Sequence, residues 1–501
     1  MKNIQSVFIL FWILFNPFCL FSKSVSPLDY GYLRARNGEE RFRVLYRMHS
    51  DAKINNWDID YSGLNVISLE IPDDAKSIPL NEKTDFKGVT FKVKNLRKDF
   101  CLFSMSSSSI KIHLQKEMMD KKDLRGYSVF SNKIVMLCLE DQNQWTKRVG
   151  YTEKVIRKDI LLFDNGQTEH SVISTYGNVY SDPVAEIVSV TKSDKYIKNI
   201  VLTRDSKSTK KTFLFDINNQ YDLLLENITV NTPRSALSAD HAISIKNSIK
   251  ILFKDIYING TYSQQNRYGY GIYLNNVRDI TFDHLKATGS WGVFGSYNVS
   301  TVVLRKCDIN RFDVHCYVKD VIFEDCQIRE LYNQFSSFFG TLIFRRCLFD
   351  KSIPVLIESS YNAYTPFDIV LEDCTMNVTR EHNFLISAGR LDAGKNERFE
   401  LKTKSWPNIF IKNLKINVPK DVSEIYLFKV RNAPCTDYIS SSCTIEIDGM
   451  QIQSKKKNEK IKFLFCNQNV TMAPLTSCRI KSNLPKNRVS LNMKQLYRTD
   501  Y

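Results

Sequence analysis

Seven residues, Arg311-Phe-Asp-Val-His-Cys-Tyr317, gather more chemistry than any other stretch of the chain. In an extended strand, side chains alternate between two sides. Arg311, Asp313, His315 and Tyr317 then share one side, with Phe312, Val314 and Cys316 on the other. A guanidinium, a carboxylate, an imidazole and a phenol on one side can bind an anion, orient a base, take a proton and return one. That set suits cleavage of a uronate sugar chain by β-elimination. The reaction needs the C6 carboxylate neutralised, the C5 proton removed and the leaving glycosidic oxygen protonated. The strand assigns Arg311 to the carboxylate, His315 to the base, Asp313 to orientation and charge balance, and Tyr317 to the acid. The same residues also fit an outward, salt-bridged face on which His315 is an ordinary surface group. Only 7 His occur in the chain, so an imidazole within such a strand is informative.

Neighbouring segments extend the candidate site. His241, in Ser238-Ala-Asp-His-Ala-Ile-Ser244, opens a segment ahead of the Arg311 strand and joins the catalytic set. Tyr268, Tyr270 and Tyr273 flank Gly269 and Gly271, and Trp291 follows one repeat later; such rings can stack on sugars. Arg329 and Tyr332, with Glu330 between them, continue the substrate-binding set. Each has a plainer role available: a turn cap for His241, loop shielding for the tyrosines, core packing for Trp291. Residues 259–267 lengthen one turn, and long turns often wall a cleft.

What must position these residues is a repeated strand phrase: apolar, any, apolar, two mostly polar residues, apolar, any, apolar. It reads Leu223-Leu-Leu-Glu-Asn-Ile-Thr-Val230, then Ile251-Leu-Phe-Lys-Asp-Ile-Tyr-Ile258, and returns at 280, 302, 321, 342 and 369, less regularly at 409 and 445. Its third position falls at Leu225, Phe253, Phe282, Leu304, Phe323, Phe344 and Leu371. Spacings of this size fall short of the ~34 residues of helix-pair repeats. The phrase is rich in Ile, Val and Phe, which favours strand. Each unit leaves its inner side unburied alone, so stacked units share one core. The reading is an all-β right-handed parallel β-helix; a β-sandwich is the weaker alternative, with no reason to repeat the same kink. One column, Cys307, Cys326, Cys347 and Cys374, stacks at one inward position and reads as a ladder of small buried groups. A disulfide or a zinc site is less well served by that geometry.

Residues 1–24 form an apolar run ending in Ser22-Lys-Ser24 and read as an export signal. A lipoprotein signal at Cys19 is disfavoured by Pro17-Phe18 before it. The expected location is secreted or periplasmic, in a bacterium, with no membrane-spanning segment after signal removal. The formal net charge of +16 points to an anionic partner. An acidic polysaccharide fits charge and compartment together; no nucleic-acid motif is visible. Residues 25–190 read as an N-terminal cap and irregular first coils, 191–452 as the β-helix, and 453–501 as a basic C-terminal tail or cap. Asn37 caps an amphipathic helix whose Phe42, Leu45 and Tyr46 would cover the first coil. Strands are expected at 66–71, 89–93 and 134–138. Pairings such as Cys435–Cys443 or Cys466–Cys478 are open possibilities in an oxidising compartment.

From Asp29 to about Ile452 the chain resembles the pectate-lyase-like superfamily of right-handed β-helices. The likeness rests on the strand phrases, on Leu28-Asp-Tyr-Gly-Tyr-Leu-Arg-Ala-Arg-Asn-Gly38 ahead of the cap, and on Trp291-Gly-Val-Phe-Gly-Ser296 followed by Arg311-Phe-Asp-Val-His315. That superfamily holds polysaccharide lyases, glycoside hydrolases, epimerases, phage tailspikes and adhesins, so it does not fix an activity. The paired aspartates of its polygalacturonase branch are absent from the repeats; Asp73-Asp74 lies in an expected loop. The kink column (Asn227, Asp255, His284, Lys306, Asp325, Arg346, Asp373) mixes signs, so a calcium cluster is not supported and no cofactor is expected. The leading expectation is a metal-independent polysaccharide lyase. A tailspike-like glycoside hydrolase, with Asp313 paired to Asp240 or Glu330, and a non-catalytic glycan-binding solenoid are the alternatives.

Overall fold

The computed structural model describes residues 23–113, 123–147, 152–168, 183–232, 241–260, 270–287, 292–329, 332–335, 338–357, 367–388, 407–430, 443–454, 462–466, 478–482 and 489–490. The signal expected at 1–24 lies almost wholly outside them. Ser24 and Val25 already pair, in parallel, with Asp58 and Ile59.

The repeat folds as a tube with three parallel sheet faces. Face one carries Thr212–Asn218, residues 243–246, 270–275, 292–297 and 313–316, Tyr332–Phe335 and Ile353–Ile357. Face two carries the first half of each phrase and face three the second half. Between them stands the kink. At Asn199, Asn227, Asp255, His284, Lys306, Asp325, Arg346, Asp373 and Asn413 the backbone is left-handed, with φ between 50° and 58°, and Gly449 ends the column among the described residues. One left-handed residue turns the strand through a corner, and Asn and Asp tolerate it best. Along the column their side chains pair, Asn227 donating to Asn199 at 2.8 Å and Asn413 to Asp373 at 2.9 Å. The inner positions Leu225, Phe253, Phe282, Leu304, Phe323, Phe344 and Leu371 are buried in one continuous core. Phe253 stacks on Phe282 and Phe323 on Phe344, with centroids 4.5 and 4.6 Å apart. The four ladder cysteines are buried and free, their thiols pointing at backbone carbonyls.

On the outer side of face two, the residue just before the kink alternates in sign from coil to coil. Register neighbours run Asp85, Lys198, Glu226, Lys254, Asp283, Arg305, Glu324, Arg345, Glu372, Lys412, Asp448. Each charge between the two ends thus has opposite charges above and below it. Lys254 meets Glu226 at 2.6 Å, and Arg345 bridges Glu324 and Glu372 at 3.3 and 3.2 Å.

The cap forms as expected and is longer. Helix α1 (Gly38–Asn55) starts at Asn37, whose side chain accepts from the Glu40 N–H, and buries Phe42, Leu45, Met48, His49 and Ala52 over the first coil. Tyr46 is only half-buried. Gly38 allows the close approach: a Cβ there would lie 2.6 Å from the Glu70 nitrogen.

Two expectations are corrected. Residues 134–138 are not an early coil. They belong to Ile134–Lys147, in a separate antiparallel sheet with Ile110–His113, Pro183–Val190 and Lys154–Asp164. Alternation alone cannot distinguish a coil from such a strand. This sheet docks on the tube through a buried Arg278–Asp159 bridge of 3.2 Å and through Asn298, which accepts from the Lys158 N–H. Parallel pairing also continues past residue 452, at Lys462–Cys466, Cys478–Ser482 and Val489–Ser490. There Cys443 lies in register with Cys478; Cys435 is outside the described residues. Among the described residues, no helix is long and apolar enough to cross a membrane.

Candidate active site

The outer side of face one departs from the regularity of face two at two places among the described residues, opposite Tyr332–Gln334 and, with chemistry around it, at His315. Between the coil register positions Phe294 and Val302 there are eight steps, as between Ile243 and Ile251 and between Ile272 and Ile280. From Phe312 to Val321 there are nine. The extra residue is His315: Val314 aligns with Ser296 and Cys316 with Tyr297, leaving His315 opposite no residue of the preceding coil. A bulge of this kind re-aims a side chain.

His315 and its neighbours form a compact polar cluster. Arg311 donates to Asp313 at 2.8 Å and to the Gln334 amide oxygen. Tyr270 reaches in from two coils earlier. Its hydroxyl is 2.8 Å from Asp313 Oδ2 and 2.9 Å from His315 Nε2. A carboxylate can only accept, so Tyr270 donates to Asp313 and Nε2–H of His315 donates to the phenol oxygen. Asn333 fixes the strand by accepting from the Phe312 N–H and donating to the Pro354 carbonyl. Arg311 and Asp313 are each 1 % exposed, and His315 8 %.

Gly295 makes this reach possible. A Cβ there would lie 2.9 Å from the Tyr270 ring, so the ring rests directly on the bare backbone of the next coil. Gly295 sits in the Trp291–Ser296 segment singled out above. The electrostatics act on two members of the cluster, Asp313 and Tyr270. Burial alone would raise the Asp313 carboxyl, but the Arg311 charge and the hydrogen bonds from His315 and Tyr270 hold it below the usual carboxylate range. Burial, and then the Asp313 charge, push the Tyr270 phenol far above its ordinary value. The cluster thus holds an ionised carboxylate, a neutral phenol and an imidazole in one hydrogen-bonded chain.

Rings continue outward along the tube. Phe213 and His241 stack at 4.6 Å, His241 and Tyr273 at 5.5 Å, and Tyr297 meets His315 edge-on at 4.7 Å. Stacked rings spend their faces on each other. His241, sandwiched between Phe213 and Tyr273, therefore offers edges and polar atoms to a ligand rather than stacking faces, while Tyr273 spends one face on it.

Of the residues expected here, the structure brings together Arg311, Asp313, His315 and Tyr270, with Tyr273 and His241 along the ring ladder. Tyr317 differs. It takes the left-handed corner conformation, φ 57°, in the column of Asn219, Asn247, Asn276 and Asn298, and is buried there. Strand alternation stops at that corner. Arg329 lies on face three, paired with Asp308 and Gln327. Tyr332 contributes its backbone to face one, beside Ile353. Tyr268, Trp291, Asp240 and Glu330 lie outside the described residues. Sequence reasoning missed Gly295, Tyr297, Asn333 and Gln334. The nine-step spacing from Phe312 to Val321 was the available signal for the bulge.

No family model matches the chain, and no curated protein matches it. Solved structures do. The tailspike gp61 of Pseudomonas phage phi297 is 11 % identical, with a TM-score of 0.51 over 94 % of this chain and 82 % of that one. The tailspike gp49 of Pseudomonas phage LKA1 is 12 % identical, with a TM-score of 0.53 over 93 % of this chain and 84 % of that one. At such identity the likeness speaks to architecture: the chain is a right-handed parallel β-helix with an N-terminal cap.

Proposed function

We propose that the protein is an exported, carbohydrate-active β-helix that cleaves an acidic, uronate-containing polysaccharide by β-elimination. One observation carries the reading: the Tyr270 hydroxyl stands within hydrogen-bond reach of both Asp313 and His315, beside half-exposed rings. His315 and Tyr270 are the acid–base pair. His315 serves as base through Nδ1, the ring nitrogen that carries no proton when Nε2–H donates to the phenol, and Tyr270 takes the acid role expected of Tyr317. A phenol held neutral by burial is a proton donor to the leaving oxygen, and the adjacent Nε2–H of His315 can replace its proton. Asp313, kept ionised, orients both groups and balances an imidazolium.

Arg311 is a positioning residue in this scheme. Its guanidinium is committed to Asp313 and Gln334, so it holds the carboxylate rather than the substrate. The basic surplus of the chain, +16, supplies long-range attraction for a polyanion. Hydrolysis instead needs a second carboxylate facing the first. Asp313 is the carboxylate of the cluster among the described residues.

The test is incubation with glycosaminoglycans, alginate and pectins, following near-ultraviolet absorbance and reducing ends together. Elimination yields both signals, and His315→Ala abolishes both. New reducing ends without absorbance select hydrolysis, binding without cleavage selects an adhesive solenoid, and equal cleavage by His315→Ala removes His315 from the mechanism.

A further inference from the structure

The second position of each repeat is free to vary, yet on face two it is apolar in seven of eight successive coils from Leu224 to Phe410, with Thr281 the exception and Glu446 in the coil after. It points outward between two buried neighbours, and from coil to coil it is Leu224, Leu252, then Thr281, then Val303, Ile322, Ile343, Val370 and Phe410. Leu252 is 37 % exposed and the others are half-buried. None belongs to the three buried clusters of the described residues. The stripe runs beside the alternating charge ladder.

From this face we infer that two copies of the chain associate face two against face two, with their tubes antiparallel. Three features point to a second copy as the occupant. The first is size. Eight coils at ~4.8 Å and five residues of strand at ~3.3 Å give a patch of roughly 40 Å by 17 Å. That is about 700 Å² per copy, close to the ~800 Å² per partner of a stable interface. The second is charge. Two chains of net charge +16 repel, but this ladder carries six acids against five bases, so the face itself is nearly neutral. Its charges are also already paired along the tube, which lowers the cost of covering them.

The third is symmetry. A two-fold axis parallel to the strands lays ladder on ladder with reversed order. Where that axis passes midway between adjacent coils, every acid meets a base of the other copy. Where it passes through a coil, like meets like. Strict alternation thus permits one family of registers and opposes the other, as a self-complementary surface requires. Face one lacks this property: its outer residues in the same coils are Tyr273, Gly295, Asp313 and Gln334.

Sedimentation of the full chain from roughly 1 to 100 µM tests the inference. The expected result is a concentration-dependent monomer–dimer equilibrium. Ile322→Lys, which places a charge in the centre of the stripe, weakens it about tenfold or more, as does Ile343→Lys one coil on. Tyr257→Lys, on face three and 44 % exposed, leaves it unchanged. All three sites are outward, so matching thermal midpoints verify that the variants fold. A wild type that stays monomeric throughout overturns the inference. So does association that Ile322→Lys leaves intact, which would place the contact on another face.

Discussion

Face two and face one are built from the same coils and serve opposite ends. On face two, ten successive register steps join eleven alternating charges without a break. A one-residue slip there would send every charge inward, so the ladder specifies the stack. On face one, an extra residue breaks the count at His315, and a missing side chain at Gly295 lets Tyr270 cross two coils. The regular face is structural. The irregular face concentrates buried charge, a phenol and an imidazole. In a solenoid, the departure from the repeat marks where chemistry can be placed.

Breaking the irregular face has the largest expected cost. Arg311→Met leaves the Asp313 carboxylate buried with its charge uncompensated. Loss of one partner of such a pair costs about 3–5 kcal/mol, read as a lower unfolding midpoint. A variant as stable as the wild type would mean that Asp313 does not depend on Arg311.

Gly295→Ala sharpens the comparison without removing any polar group. The new methyl displaces the Tyr270 ring, and turnover on the cleaved polymer falls about a hundredfold, mainly in kcat. The unfolding midpoint changes little, because the ring can swing outward. Undiminished kcat would show that the ring position is irrelevant.

The cap tests what burial does to an imidazole without a broken register. His49 is enclosed by Tyr61, Phe86 and Phe103, with Nε2 2.6 Å from the Tyr61 hydroxyl. Burial lowers its pKa to about 3 from 6.5. The unfolded chain therefore binds a proton below pH 6.5 that the folded chain refuses until about pH 3. Stability is lost as pH falls through that window, by about 2 kcal/mol at pH 5. Denaturant titrations at pH 8 and pH 5 should show a drop of that size that shrinks in His49→Leu. An identical drop in the variant would assign the effect to other groups.

The regular face predicts the smallest effect. Arg345 is about one-third exposed and pairs with two acids. Arg345→Ala costs up to about 1 kcal/mol and less in high salt. A loss of several kcal/mol would mean that the ladder does more than hold register.

Much of this contrast was legible before any coordinates. The phrase at 223, 251, 280 and 302 specified strands, kink and core, because inward apolar positions and left-handed corners recur at fixed offsets. The alternating signs of Glu226, Lys254, Asp283 and Arg305 stood in the fourth position of the phrase, but acquire meaning only once register makes them neighbours. One strand of the sequence already places Arg311, Asp313 and His315 on one side, where the structure clusters them. The sequence alone presents Tyr270 as a sugar-stacking ring rather than a proton donor, because its reach over Gly295 spans two coils. Tyr317 was misplaced because alternation holds only within a strand, and the corner residue obeys a different rule. Residues 134–138 were misread because two kinds of strand share one pattern.

The central claim is that the Tyr270–His315–Asp313 cluster performs proton transfer on a uronate chain. It is tested most directly by initial rates of unsaturated product formation, comparing the wild type with Tyr270→Phe at matched thermal midpoints. The account predicts product from at least one uronate polymer and a loss of about a hundredfold or more in the variant, which keeps the ring and lacks only the hydroxyl. Equal rates for the two proteins, or no unsaturated product from any such polymer, would contradict it.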